Sequence, residues 1–161
     1  MMSNNTTFKN GWNQSKDTLR EPAMTTEQIR HNRQLAAEYL KKIPAERWYL
    51  NATMKESLGI QLYVNWEGLE NSPQWAVGCV LGWLQTMPAV RDYAKKNHRW
   101  SPVIAEPSYR AVVTFLGLNL KDASNLFHRR SKPTLSDYAE AMERVDSLMS
   151  LPIMTDGGQK N

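Results

Sequence analysis

The stretch from Trp75 to Leu84, WAVGCVLGWL, is the longest apolar run in the chain and restricts the fold more than any other feature. Ser72 followed by Pro73 has the form of an N-cap and a first-turn proline. The residues from there to Met87 are apolar nearly all round a helical projection. A helix of that kind belongs at the centre of a core, with others packed about it. The run is too short to cross a bilayer. Gly78 and Gly82, four apart, would let a neighbouring helix approach closely, and with exposed methionines they would also suit a homodimer.

The remaining segments supply the surrounding layer. Thr25 and Gln28 have capping-box spacing and open a helix to about Ile43, with Ile29, Ala36, Leu40 and Ile43 on one face and Pro44 ending it. Leu50, Met54 and Leu58, at a spacing of four, predict a second helix from Ala45 to Leu58 with Gly59 at C′. Ile60, Leu62, Val64 and Trp66 then alternate with Gln61, Tyr63 and Asn65, giving one short extended segment at 60–66, a strand or a plain connector. Thr86 and Pro88 start a helix to about Lys96, and Pro107 starts one to about Leu116. Asn119 caps the next, with Asp122 in its first turn. Thr134 caps the last, where Leu135, Tyr138, Met142, Val145 and Met149 form an apolar stripe and Glu140, Glu143 and Asp146 are left to solvent. The expected fold is all-α or nearly so, a compact bundle of six or seven helices. Residues 1–24 read as a flexible arm, 25–150 as the single helical domain and 151–161 as a flexible tail.

A mean hydropathy of −0.59 fits a soluble chain, and no charged-then-apolar leader opens the sequence, so a cytoplasmic protein is expected. The single Cys79 excludes an intrachain disulfide and reads as a small buried hydrophobe in a reducing compartment. Net charge is +4, unevenly spread. Residues 89–132 carry nine Lys/Arg against Asp92, Glu106 and Asp122, a local excess of six cations that leaves the rest of the chain at −2. Such a segment suits a partner with an acidic surface, protein or nucleic acid, or is simply a solvated basic surface.

Catalytic groups are sparse. His31, His98, His128 and Cys79 show no metal-ligand spacing, so neither a metal nor another cofactor is expected. The glycines form no phosphate loop, and Cys79 would have to act as a thiolate from inside an apolar run, where the charge is disfavoured. An enzyme would rest on Glu67 and Glu70 in NWEGLENSP, a carboxylate pair that does acid–base work only if burial separates their environments. Two solvated loop acids are the plainer alternative.

The stretch FLGLNLKDASNLFHRR, residues 115–130, matches what a helix-turn-helix needs at Val113, Leu116, Gly117, Leu118, Ala123 and Leu126. It resembles phage-repressor-type helix-turn-helix domains over residues 109–145. The resemblance implies that Lys121, Ser124, Asn125 and His128 face bases, with Arg129, Arg130 and Lys132 near phosphates. One departure is that HRWSPVIAEP stands where that family has another helix. Over residues 72–150 the chain also resembles small phage and bacterial helical proteins of uncharacterised function. In those, a C-x-x-G-W-like helix precedes an L-G-L-x-x-x-x-A-x-x-L-F segment; here the order is V-G-C-V-L-G-W. That resemblance implies core packing for Leu116, Leu118, Leu126 and Phe127, and it brings no activity with it. Trp100, among basic neighbours, is a candidate anchor for a base or a partner surface, or a half-buried loop residue.

The expected function is a small non-catalytic interaction or regulatory protein, phage- or mobile-element-like. It would bind an acidic partner, not a membrane, through 89–132, with Arg99, Trp100, Lys121, Ser124, Asn125, His128, Arg129, Arg130 and Lys132 at the contact. The alternatives are a DNA-binding regulator reading sequence with 119–130, and an enzyme using Glu67 and Glu70.

Overall fold

A computed structural model describes residues 23–97, 99–101 and 106–155. Residues 1–22 of the arm expected over 1–24, His98, and residues 156–161 of the expected tail lie outside the described residues. Among those described there are six α-helices: α1 (Thr26–Lys41), α2 (Val80–Thr86), α3 (Pro88–Lys96), α4 (Tyr109–Phe115), α5 (Leu120–Phe127) and α6 (Asp137–Ser147). The fold is predominantly helical, yet it also contains two small antiparallel ladders. β1 (Met54–Glu56) pairs with β2 (Ala76–Gly78), and β3 (Trp100–Ser101) pairs with β4 (Glu106–Pro107).

Most of the apolar run occupies the centre, although Trp75 at its start is exposed. Trp83 and Leu84 are fully buried, and α2 packs against α1, α3, α4 and α5. It is shorter than the expected helix because Ala76–Gly78 is strand and Cys79, extended, takes the N-cap position. Gly78 and Gly82 do permit a close approach, but not by a helix. A Cβ on either would meet the Thr53 carbonyl oxygen, at 2.4 Å and 1.7 Å. Both glycines are buried by this chain's own backbone and offer no face to a second copy.

The predicted 45–58 helix is absent: Ala45–Arg47 is one 3-10 turn, and Met54–Glu56 enters the ladder. Leu50 and Met54 are buried as the spacing implies, whereas Leu58 is fully exposed at a turn. There Gly59 donates to the Glu56 carbonyl instead of closing a helix. Over 60–66 the chain is a connector joined to β1 by one bridge, Lys55 to Gln61, with Val64 buried and Ile60 exposed.

Capping explains the helices that were legible. Thr25 and Gln28 form the capping box of α1, and Asn119 Oδ1 accepts from Asp122 N at 2.7 Å. For α4 the cap is Ser108, because Pro107 belongs to β4. For α6 it is Ser136, not Thr134. The late start and the 3-10 turn at Leu148–Ser150 break the stripe, so Tyr138 and Met149 are exposed.

Gly117 joins α4 to α5 at φ 60°, a left-handed conformation that favours glycine. A Cβ there would lie 2.6 Å from Ile29 Cγ2. Gly117→Ala is therefore expected to destabilise the fold by about 2 kcal/mol, read as a lower urea midpoint with an unchanged slope. The backbone continues past the expected domain end: Met154 N donates to the Gly117 carbonyl at 2.8 Å, so the first residues of the predicted tail are part of the fold.

Candidate partner-binding surface

α5 buries Ala123 and Leu126 and leaves Lys121, Ser124, Asn125 and His128 exposed, as a short amphipathic helix should. It ends at Phe127, and His128 is extended (φ −66°, ψ 162°). The Arg144 guanidinium sits at this C-terminus, donating to the carbonyls of Leu126 (3.3 Å), His128 and Arg129 (2.8 Å). A cation in that place satisfies orphan carbonyls and complements the helix dipole.

The following segment is held by Glu140, which is 2 % exposed. Its carboxylate accepts from Ser131 N, Ser131 Oγ and Lys132 N, each at 2.9 Å, and from Arg144 Nη2 at 2.5 Å. Burial by itself would raise the pKa of Glu140. The bonds from Ser131, Lys132 and Arg144 outweigh that and hold the carboxyl at about 2. The expectation that Glu140 faces solvent is thus overturned, because the otherwise unpaired N–H groups of 131 and 132 lie against this face of α6. Glu143 and Asp146 are exposed and pair with Lys132 and Lys41.

The predicted contact residues fall into three sets. Lys121, Ser124, Asn125, His128 and Arg129 are exposed, and neither Lys121 nor Arg129 makes an ion pair among the described residues. Asn125, His128 and Lys132 line one hollow of about 500 Å³ between α5 and α6. Arg130 and Lys132 are engaged internally. Arg130 donates to the carbonyls of Pro133 and Leu135 and pairs with Asp137 at 3.4 Å, while Lys132 meets Glu143 at 2.5 Å.

Arg99 and Trp100 are not walls of that hollow. Trp100 is partly buried, with Arg91 Cζ and Lys95 Nζ over its ring at 4.7 and 5.0 Å. Within HRWSPVIAEP, which departs from the helix-turn-helix pattern, Trp100–Ser101 and Glu106–Pro107 form the β3–β4 ladder.

Glu67 and Glu70 are both exposed, and Glu67 lies 3.9 Å from Arg91. The half-buried carboxylate of that neighbourhood is Glu106, which accepts from Val64 N (2.7 Å) and Gln85 Nε2 (3.2 Å). Its burial raises its pKa, partly offset by those bonds and by Arg91. Burial likewise pushes the Cys79 thiol up, against a reactive thiolate there. Among the described residues no three His, Cys, Asp or Glu are grouped to hold a metal, and no helix is long and apolar enough to cross a membrane.

Glu140 and Arg144 were missed as supports of this surface. Their i, i+4 spacing in EAMER was the available signal. Comparison with protein-family models, curated proteins and solved structures finds no match to this chain.

Proposed function

We propose that this chain is a non-catalytic binding protein that engages the acidic surface of a macromolecular partner through the outer face of α5 and the segment 128–132. The observation that supports it is the hydrogen bonding of the segment's main chain. A buried carboxylate and a guanidinium are committed to its main chain through bonds to 128, 129, 131 and 132. Polar surface loops are ordinarily mobile; one fixed in advance loses less entropy when a partner docks. Lys121 and Arg129 supply positive charge that no internal acid takes up among the described residues.

The test is a salt series of binding to polyglutamate and to a mixed-sequence DNA duplex, with wild type and a Lys121→Glu, Arg129→Glu variant. Both side chains are exposed, so the variant is expected to fold. It should lose at least about tenfold in polyglutamate affinity at low salt. Equal affinity of the two proteins would contradict the proposal.

A DNA-reading α5 is the second reading, favoured by the exposed stripe of Lys121, Ser124, Asn125 and His128. It predicts that one duplex sequence can be enriched and that Asn125→Ala relaxes the preference. Arg129→Ala would weaken all sequences alike. The internal pairing of Arg130 and Lys132 counts against it, since two presumed phosphate contacts are already neutralised.

A further inference from the structure

The connector after β1 is the free edge of a small sheet. Glu56 N donates to the Ile60 carbonyl at 3.1 Å and Leu62 N to the Met54 carbonyl at 2.9 Å, on either side of the Lys55–Gln61 bridge. Bonds placed in that way make Lys55 and Gln61 a non-hydrogen-bonded pair, so the N–H and C=O of Gln61 point away from β1. Among the described residues neither group has a hydrogen-bond partner, and the same holds for the Tyr63 N–H and the Gly59 C=O.

The edge is apolar and unguarded. Leu58 is fully exposed, Ile60 is 74 % exposed and Tyr63 is 59 % exposed. Proteins ordinarily blunt such an edge with charge, a proline or a bulge. The stretch from Ser57 to Trp66, SLGIQLYVNW, holds no charged residue and no proline. Lys55, the cation of β1, keeps its ammonium over the Tyr49 ring at 4.7 Å. An edge without charge does not repel a copy of itself and offers nothing to an acidic partner.

We infer that this edge pairs antiparallel with the same edge of a second copy of the chain, about a two-fold axis at Gln61. With Gln61 opposite Gln61, the two residues exchange both of their N–H to C=O bonds. Further along, the Tyr63 N–H of each copy reaches the Gly59 C=O of the other. Ile60 of each copy then lies opposite Leu62 of the other, on the face where Leu62 already packs against the core. The exposed isoleucine thereby gains an apolar cross-strand neighbour. Tyr63 lies opposite Gly59, where no side chain obstructs its ring. A shift of one residue sets Gln61 against groups that face β1, and the bonds are lost. A shift of two sets Ile60 against Val64, which its own chain already buries. No residue of 119–132 takes part, so this pairing stands or falls separately from the binding proposal.

The test is sedimentation equilibrium of the full chain from about 1 µM to about 1 mM, the range in which a small interface associates. The mass is expected to rise from 18.5 kDa toward twice that value and to stop there. Water exchange at the Gln61 amide of the ¹⁵N-labelled chain, compared at about 50 µM and about 1 mM, should slow about threefold as the pair forms. This readout uses the natural sequence and so does not depend on how a variant folds. Ile60→Lys, at an exposed position, should weaken the pairing at least about tenfold by placing charge on the edge. A mass of one chain throughout, or one that grows past two chains, overturns the inference. So does a dimer whose Gln61 exchange ignores concentration, or one that Ile60→Lys leaves intact.

Discussion

Arg33→Ala is expected to lower stability by about 4 kcal/mol or more, a fall of roughly 10 °C in Tm. Arg33 lies on α1 and is fully buried. Its guanidinium donates to five carbonyls: Leu116 (2.7 Å), Gly117 (3.0 Å), Leu148 (3.2 Å), Leu151 (2.6 Å) and Pro152 (2.9 Å). One side chain thereby joins α1 to the α4–α5 turn, to the 3-10 turn after α6 and to the segment beyond it. Burial lowers its pKa and Asp122 opposes this, but a guanidinium remains charged at any working pH. Truncation leaves a cavity and carbonyls that lose their donors, and both effects destabilise. Arg33→Lys should recover little, since an ammonium has three donors and no planar fork. Urea unfolding followed by circular dichroism measures the loss. A loss below about 1 kcal/mol would mean that water or rearrangement satisfies those carbonyls.

Glu140→Gln should cost about 2 kcal/mol and, more tellingly, flatten the acid limb of the stability curve. A carboxyl held at about 2 against an ordinary 4.5 corresponds to about 3 kcal/mol. Solvent beside the exposed segment reduces the useful part to about 2 kcal/mol. The folded-state pKa is depressed, so the unfolded chain binds the proton more readily. The contribution is therefore complete above about pH 5 and is lost as pH falls from about 4.5 toward 2. In Glu140→Gln the amide still accepts from Ser131 and Lys132 but no longer neutralises Arg144, and its stability should change less over that interval. Denaturant midpoints measured from pH 7 to pH 2.5 for both proteins test this. Parallel curves would show that Glu140 is not the group that titrates.

Part of the local signal of the sequence survives in the fold. Thr25, Asn119 and Pro88 mark helix starts because capping and first-turn proline act within a few residues. Most of the apolar run finds the core centre because no other placement covers it. What stays illegible is non-local. Leu50, Met54 and Leu58 have helical spacing, yet Lys55 becomes strand only because Val77 lies opposite it. Gly78 and Gly82 signal a close approach without revealing that Thr53 makes it.

The same division holds at the candidate surface. The exposed face of α5 follows from helix period alone. Arg130 and Lys132 look like free cations until Asp137 and Glu143 are brought to them by the fold. Arg33 carries no mark of burial, because its partners are main-chain groups, which every residue has and no sequence pattern displays, and Glu140 is marked only by its i, i+4 spacing from Arg144.

The most direct test of the central claim is amide mapping of the full ¹⁵N-labelled chain with polyglutamate at low salt. Shifts concentrated in residues 119–132 and reversed by added salt are the predicted result. Perturbations centred instead on the exposed turn around Leu58 and Ile60, or none at all, would contradict it.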